Sequence, residues 1–195
     1  MNIKLDQIAT VRTLTTFRDR APVESAAGNA YVLSIRDVVA RWPVHFPALP
    51  LVTVDEHQLP DAIEAGDILL PGRGASYPAR LFRTAPRPVF TAGQVYVIRA
   101  KRPIDPAYLC WYLNRPTVQL DINQLLAGSG VKALNKSSLL KIDISLPHVD
   151  DQARIAQLCQ LSEQRTALRE ELERLDQAEI EHACETVLKE RGVHG

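Results

Sequence analysis

A chain of 195 residues with 46% hydrophobic and 24% charged residues has the composition of a soluble globular protein and can bury a core without staples. Its formal net charge is zero, and no stretch approaches 18 uncharged apolar residues. A uniformly basic polyanion binder and a membrane-spanning helix are therefore excluded as expectations.

The start, "MNIKLDQIAT", lacks the apolar run of a signal peptide, so a cytoplasmic location is expected. Cys110, Cys159 and Cys184 have no close pair and read as reduced thiols, without a disulfide or zinc site. Residues 29–38, "NAYVLSIRDV", are apolar and partly alternating, which predicts a strand with Arg36 and Asp37 at its end. "RWPVHFPALPLVTV" holds three prolines in fourteen residues and predicts loop or edge segments. Gly66-Asp67 reads as a turn before a short strand over 68–70, "PGRG" as a tight turn, and Ala92-Gly93 as a turn before a strand over 94–99. Residues 66–100 are thus predicted to be β-rich and hairpin-bearing.

Asp105 is a suitable N-cap and Pro106 suits the first helical position, so "IDPAYLCWYLN" reads as a helix. A second helix is expected over 117–126, stopping at Gly128, and Asn135 can cap a short one through Leu140. "KIDISLP" alternates as a strand and ends at Pro147. From Asp150 to about Arg191 there is neither proline nor glycine, and Leu158, Leu161, Leu168, Leu172 and Leu175 follow a 3-4-7 spacing. That spacing predicts one coiled-coil-like helix of about 60 Å with a leucine stripe that needs a partner. The fold class is α+β: a β-rich domain with short helices over 1–147, then a long helix over 148–195.

The zero total hides an asymmetry. Residues 1–150 carry 17 Lys+Arg against 13 Asp+Glu, and residues 151–195 carry 6 against 10. From Ile68 to Ile104 seven basic residues (Arg73, Arg80, Arg83, Arg87, Arg99, Lys101, Arg102) occur with no acidic one. Local clustering of this kind sets the field that a polyanion meets. A second loop carries Ser129, Lys132, Asn135 and Lys136. Arg and Lys on hairpins and loops suit phosphate contacts, while Arg, Asn and Ser also read base edges.

The catalytic motifs are near misses. The loop 128–138 lacks P-loop spacing, and "PGRG" is too short for a dinucleotide fingerprint. The "DPAY" of residues 105–108 approaches the Asp/Asn-Pro-Pro-Tyr motif of DNA amino-methyltransferases. Ala107 replaces the second proline, however, and no glycine-rich strand–loop precedes it for S-adenosylmethionine. A capped helix start with Tyr108 packed inside is the expected reading. The five histidines show no metal-ligand spacing. Neither catalysis nor a cofactor is expected.

In order along the chain, "YVLSIRDV", "GDILLPGRG", "VYVIRAKRPIDPAYLCWYL", "GSGVKALNKSSLLKIDISLP" and the Pro147–Gln152–Ile155 run resemble one half of a specificity subunit of type I restriction–modification systems. The resemblance spans almost the whole chain. It departs at Asp151-Gln152, where the family usually has Glu-Gln, and in carrying one recognition domain and one helix instead of two. It implies sequence-specific binding of double-stranded DNA and tethering of methyltransferase subunits, with a restriction subunit as an optional partner. Arg73, Arg80, Arg83 and Arg87 would face DNA, with Ser129, Lys132, Asn135 and Lys136 as a second contact patch. A half-length chain would rebuild the two-helix arrangement as a homodimer through Leu158, Leu161, Leu168, Leu172 and Leu175. The competing reading is a regulatory module that pairs with intact specificity subunits through its helix without binding DNA.

Overall fold

The computed structural model describes residues 2–14, 24–40, 42–126 and 133–192, and the chain divides into two compact units, Met1–Ala153 and Arg154–Gly195. The first unit opens with β1 (Asn2–Lys4), α1 (Leu5–Ile8) and β2 (Ala9–Thr13). β3 (Ala30–Leu33) and α2 (Ile35–Val39) follow, then a 3-10 turn and the two-residue β4 (Leu51–Val52). β5 (Ile68–Pro71), β6 (Arg80–Leu81), β7 (Val89–Thr91) and β8 (Val95–Ala100) form the β-rich centre. α3 (Pro106–Leu113), α4 (Pro116–Gln124), α5 (Lys136–Leu139), β9 (Asp143–Ser145) and α6 (Val149–Gly192) complete the chain.

Among the described residues the strands form three sheets. β2, β8, β5 and β6 form one in that order, all antiparallel neighbours. The order β4-β3-β7 forms a second, in which β3 and β7 run parallel, and β1 pairs with β9 in the third. Val32, Leu33, Val52 and Phe90 from the second sheet share one hydrophobic core with Leu69, Val95 and Val97 from the first. The fold is therefore mixed α+β with a long C-terminal helix, as expected. The proline-rich segment supplies β4, an edge strand, where a missing N–H is tolerated.

One boundary differs. The strand expected over 29–38 ends at Leu33, and Arg36 and Asp37 lie in α2. The cause is local: the Asp37 carboxylate accepts from the Ser34 N–H at 2.7 Å and from its hydroxyl at 2.6 Å, which starts a helix at Ile35. The helix stop expected at Gly128 lies outside the described residues.

Gly28 shows how tightly the second sheet is joined. A Cβ there would stand 2.6 Å from the Val52 nitrogen and 2.7 Å from its oxygen, both main-chain atoms of the neighbouring strand. Gly28→Ala is expected to destabilise the first unit by about 1–3 kcal/mol through forced displacement of β4. Urea unfolding followed by the fluorescence of Trp42 and Trp111 checks this, and an unchanged midpoint would show that β4 yields freely.

Candidate nucleic-acid interface

The acid-free run from 68 to 104 is not a free positive face, because several of its cations already have partners. Arg99 on β8 meets the Asp67 carboxylate in a fork, Nε to Oδ1 at 2.7 Å and the second terminal nitrogen to Oδ2 at 2.8 Å. Its remaining terminal nitrogen reaches Glu64 at 2.9 Å. Asp67 is 1% exposed and also accepts from the Glu64 N–H. These charge-assisted bonds to Asp67, and then those to Glu64, hold the Arg99 guanidinium above its ordinary pKa. The acids that neutralise Arg99 thus stand at positions 64 and 67, just before the run begins. Lys101 donates to the Asp6 carbonyl at 2.9 Å.

The four arginines singled out from the sequence do not form one cluster. β5 and β6 are antiparallel with Ile68 opposite Leu81 and Leu69 opposite Arg80. Arg73 therefore follows the C-terminal end of β5, while Arg83 and Arg87 lie in the loop beyond its N-terminal end. The seven residue steps from 66 to 73 span roughly 23 Å of extended chain. Arg80 turns its guanidinium onto the end of α2, donating to the carbonyls of Val38 and Ala40, both at 3.1 Å. Arg87 donates to the Gly28 carbonyl. Arg83 and Arg87, with Ile63, Phe82, Pro86 and Pro88, line an open cleft of about 360 Å³.

Arg73 has a different setting. Its guanidinium makes no bond to another described residue, and residues 73–76 are all exposed between buried Gly72 and Tyr77. The chain around it is fixed by main-chain bonds. Gly72 donates to the Gln94 carbonyl at 2.7 Å and accepts from Leu134 at 2.8 Å, and Arg73 bridges to Ala133. The Tyr96 hydroxyl donates to the Leu134 carbonyl at 2.6 Å. These bonds bring the turn after β5 beside the segment that leads into Asn135 and Lys136, so Arg73 alone of the four arginines adjoins the described part of the second predicted patch. Ser129 and Lys132 lie outside the described residues. The Asn135 carboxamide oxygen accepts from Ser137 N at 3.0 Å and so caps α5; Lys136 is exposed in its first turn.

Residues 105–108 are a capped helix start. Asp105 Oδ1 accepts from the N–H groups of Ala107 and Tyr108 at 2.7 and 3.0 Å. Tyr108 is 2% exposed and its hydroxyl donates to the Ser145 carbonyl. Burial, and then the neighbouring Tyr112, pushes its pKa up. The Pro147–Gln152 run has a structural role: the buried Gln152 accepts from Asp105 N–H at 2.9 Å and donates to the Pro147 carbonyl at 3.1 Å. Among the described residues no group of three or more His, Cys, Asp and Glu side chains could hold a metal ion, and no helix is long and apolar enough to cross a membrane.

α6 carries the leucine stripe. Leu158, Leu161, Leu168, Leu172 and Leu175 are 67%, 53%, 71%, 58% and 51% exposed. Arg174 pairs with Glu171 and Lys189 with Glu185 along the helix itself.

Comparison with known proteins identifies the family and the fold. Residues 63–178 match the family model described as "Type I restriction modification DNA specificity domain". The HsdS subunit from Thermoanaerobacter tengcongensis is similar with a TM-score of 0.56 and 15% identity, over 86% of this chain and 38% of that one. The type I restriction–modification S subunit from M. genitalium gives 0.58 and 14%, over 85% and 39%. A chain from a study of complex assembly and conformational transition of the type I R-M system gives 0.58 and 17%, over 86% and 39%. The chain thus spans less than two-fifths of the length of these structures. No curated protein matches it.

Proposed function

Because the chain belongs to the type I restriction modification DNA specificity domain family, we propose that it recognises double-stranded DNA as a half-length specificity subunit. On this reading residues 1–153 bind DNA, α6 pairs with the helix of a second copy, and the assembly tethers methyltransferase subunits that supply the chemistry. The chain itself contributes recognition and no catalysis. A restriction subunit is a further partner where the system cuts DNA.

The observation that carries the proposal is the junction of the exposed Arg73 turn with the segment 133–136, held by the Gly72–Leu134 bond and the Arg73–Ala133 bridge. It gathers Arg73, Asn135 and Lys136, and Ser129 and Lys132 belong to the same stretch of chain. Arg83, in the cleft at the other end of β5, would make a separate contact. Arg80 and Arg87 already donate to main-chain carbonyls and would act by bracing the chain at Val38, Ala40 and Gly28. A homodimer about a two-fold axis would present two such surfaces and read a bipartite site whose halves are inverted copies.

Binding is tested with the full chain, reconstituted with a methyltransferase subunit. Affinity for a duplex is expected to fall steeply with salt, because each neutralised phosphate releases counterions. Lys136→Ala should weaken all sequences alike and lower the salt slope by about one. An assembly that binds no duplex at low salt would leave the chain as a pairing module instead.

A further inference from the structure

Resting on that DNA-recognition reading, we infer that the turn 73–76 is a base-reading element, with Arg73 reading guanine, and that Asn114 and Gln119 are positioning residues that hold it in register. The turn is short, exposed and clamped at both ends. At its start Gly72 is tied to Gln94 and Leu134. At its end the clamp comes from two amide side chains on the helical layer. The Asn114 carboxamide makes a reciprocal pair with Ala79, accepting its N–H at 2.9 Å and donating to its carbonyl at 2.8 Å, as a neighbouring strand would. Gln119 donates to the Tyr77 carbonyl at 2.9 Å and to the Leu113 carbonyl at 2.8 Å. Tyr77, 1% exposed, closes the turn by donating its hydroxyl to the Gly74 carbonyl at 3.1 Å.

Between these anchors stand Arg73, Gly74, Ala75 and Ser76. Three of the four side chains are small, and a Cβ on Gly74 would meet nothing within 4 Å, although its φ of +125° favours glycine. A bare turn of this size can enter a major groove about 12 Å wide without displacing its own side chains. The Arg73 guanidinium makes no bond to another described residue, whereas Arg80, Arg87 and Arg99 donate to main-chain or carboxylate oxygens. Bidentate donation to guanine O6 and N7 is the commonest specific contact that a free guanidinium makes. Such a contact tolerates little looseness, so the rigid clamp matters to discrimination more than to attraction.

The test uses the full chain reconstituted with a methyltransferase subunit, and a randomised duplex pool whose retained fraction is sequenced. The wild type is expected to enrich a sequence with a defined guanine. Arg73→Ala should lower discrimination at that base pair by about 5- to 150-fold. Asn114→Ala and Gln119→Ala should relax the same base pair while leaving the salt slope on an unenriched duplex unchanged. Arg73→Ala added to either should cost little more, since residues that act as one unit are not additive. If Asn114→Ala does not fold, Gln119→Ala carries the comparison alone. Wild-type enrichment that survives unchanged in Gln119→Ala, or an Arg73→Ala that weakens all sequences alike, overturns the inference and leaves DNA recognition standing. A wild-type assembly that enriches nothing defeats both.

Discussion

Replacing Leu168 and Leu172 together by glutamate is expected to turn the proposed homodimer into a monomer with an intact first unit. Both side chains are more than half exposed in the single chain, at 71% and 58%, and both lie on the stripe that begins at Leu158. Burying a leucine is worth about 1.5–3 kcal/mol, and a two-fold interface uses each twice. Four lost leucines therefore remove about 6 kcal/mol or more, which is roughly a ten-thousandfold change in dissociation constant. Glutamate is a good helix former, so the helix itself should persist. Sedimentation at micromolar concentration reads the mass, and the emission of Trp42 and Trp111, both in the first unit, reports its folding. A wild-type chain that runs as a monomer without partner subunits would defeat self-pairing and point to a different chain as the helix's partner.

The second large effect is expected from Asp67→Ala. The Asp67 carboxylate is buried and holds Arg99 in a fork, with Arg12 3.9 Å away and the Glu64 N–H bonded to it. Removing one partner of a buried pair costs about 3–5 kcal/mol, because the other charge is left uncompensated. The Arg99 side chain is 38% exposed, so water screens it and the lower end, about 3 kcal/mol, is expected. Arg99→Met should cost a comparable amount, since it strands the carboxylate. The double replacement Asp67→Ala with Arg99→Met should cost less than the two single costs added, as coupled sites do. Urea unfolding measures all three; an Asp67→Ala chain within about 0.5 kcal/mol of the wild type, the range of an ordinary surface change, would mean the pair carries no stability.

The elements that the sequence announces clearly are those whose signals are local. Asp105-Pro106 starts a helix because the carboxylate meets two N–H groups within three residues. Gly93 has a φ of +74° and marks the turn before β8. The absence of proline and glycine from Asp150 to Arg191 leaves α6 unbroken. Ser34-x-x-Asp37 is an equally local capping signal, but the apolar alternation of 29–33 beside it masks the point where strand gives way to helix. The parallel pairing of β3 with β7 joins Tyr31 to Val89, and no nearby residue signals it.

The candidate site was legible as a charge pattern and not as a surface. Charge counting found Arg80 and Arg87, but their carbonyl partners at Val38, Ala40 and Gly28 are about forty or more positions away and known only from tertiary structure. Asn114 and Gln119 gave no signal at all, since an amide near a helix end has many uses.

The first unit begins where it finishes. β1 lies against β9, with Asn2 opposite Ser145 and Lys4 bonded to Asp143 at 2.7 Å. A chain entering at residue 2 and leaving at residue 146 passes through two points set side by side, about 5 Å apart across a strand pair. A segment with such ends behaves as an insertable cassette: it can be spliced into a host polypeptide, or exchanged for another, without stretching the backbone on either side. Recombination at the two flanks would then transfer residues 2–146 as a whole in one event, and a joint at residue 2 is the natural place to fuse a second copy in tandem.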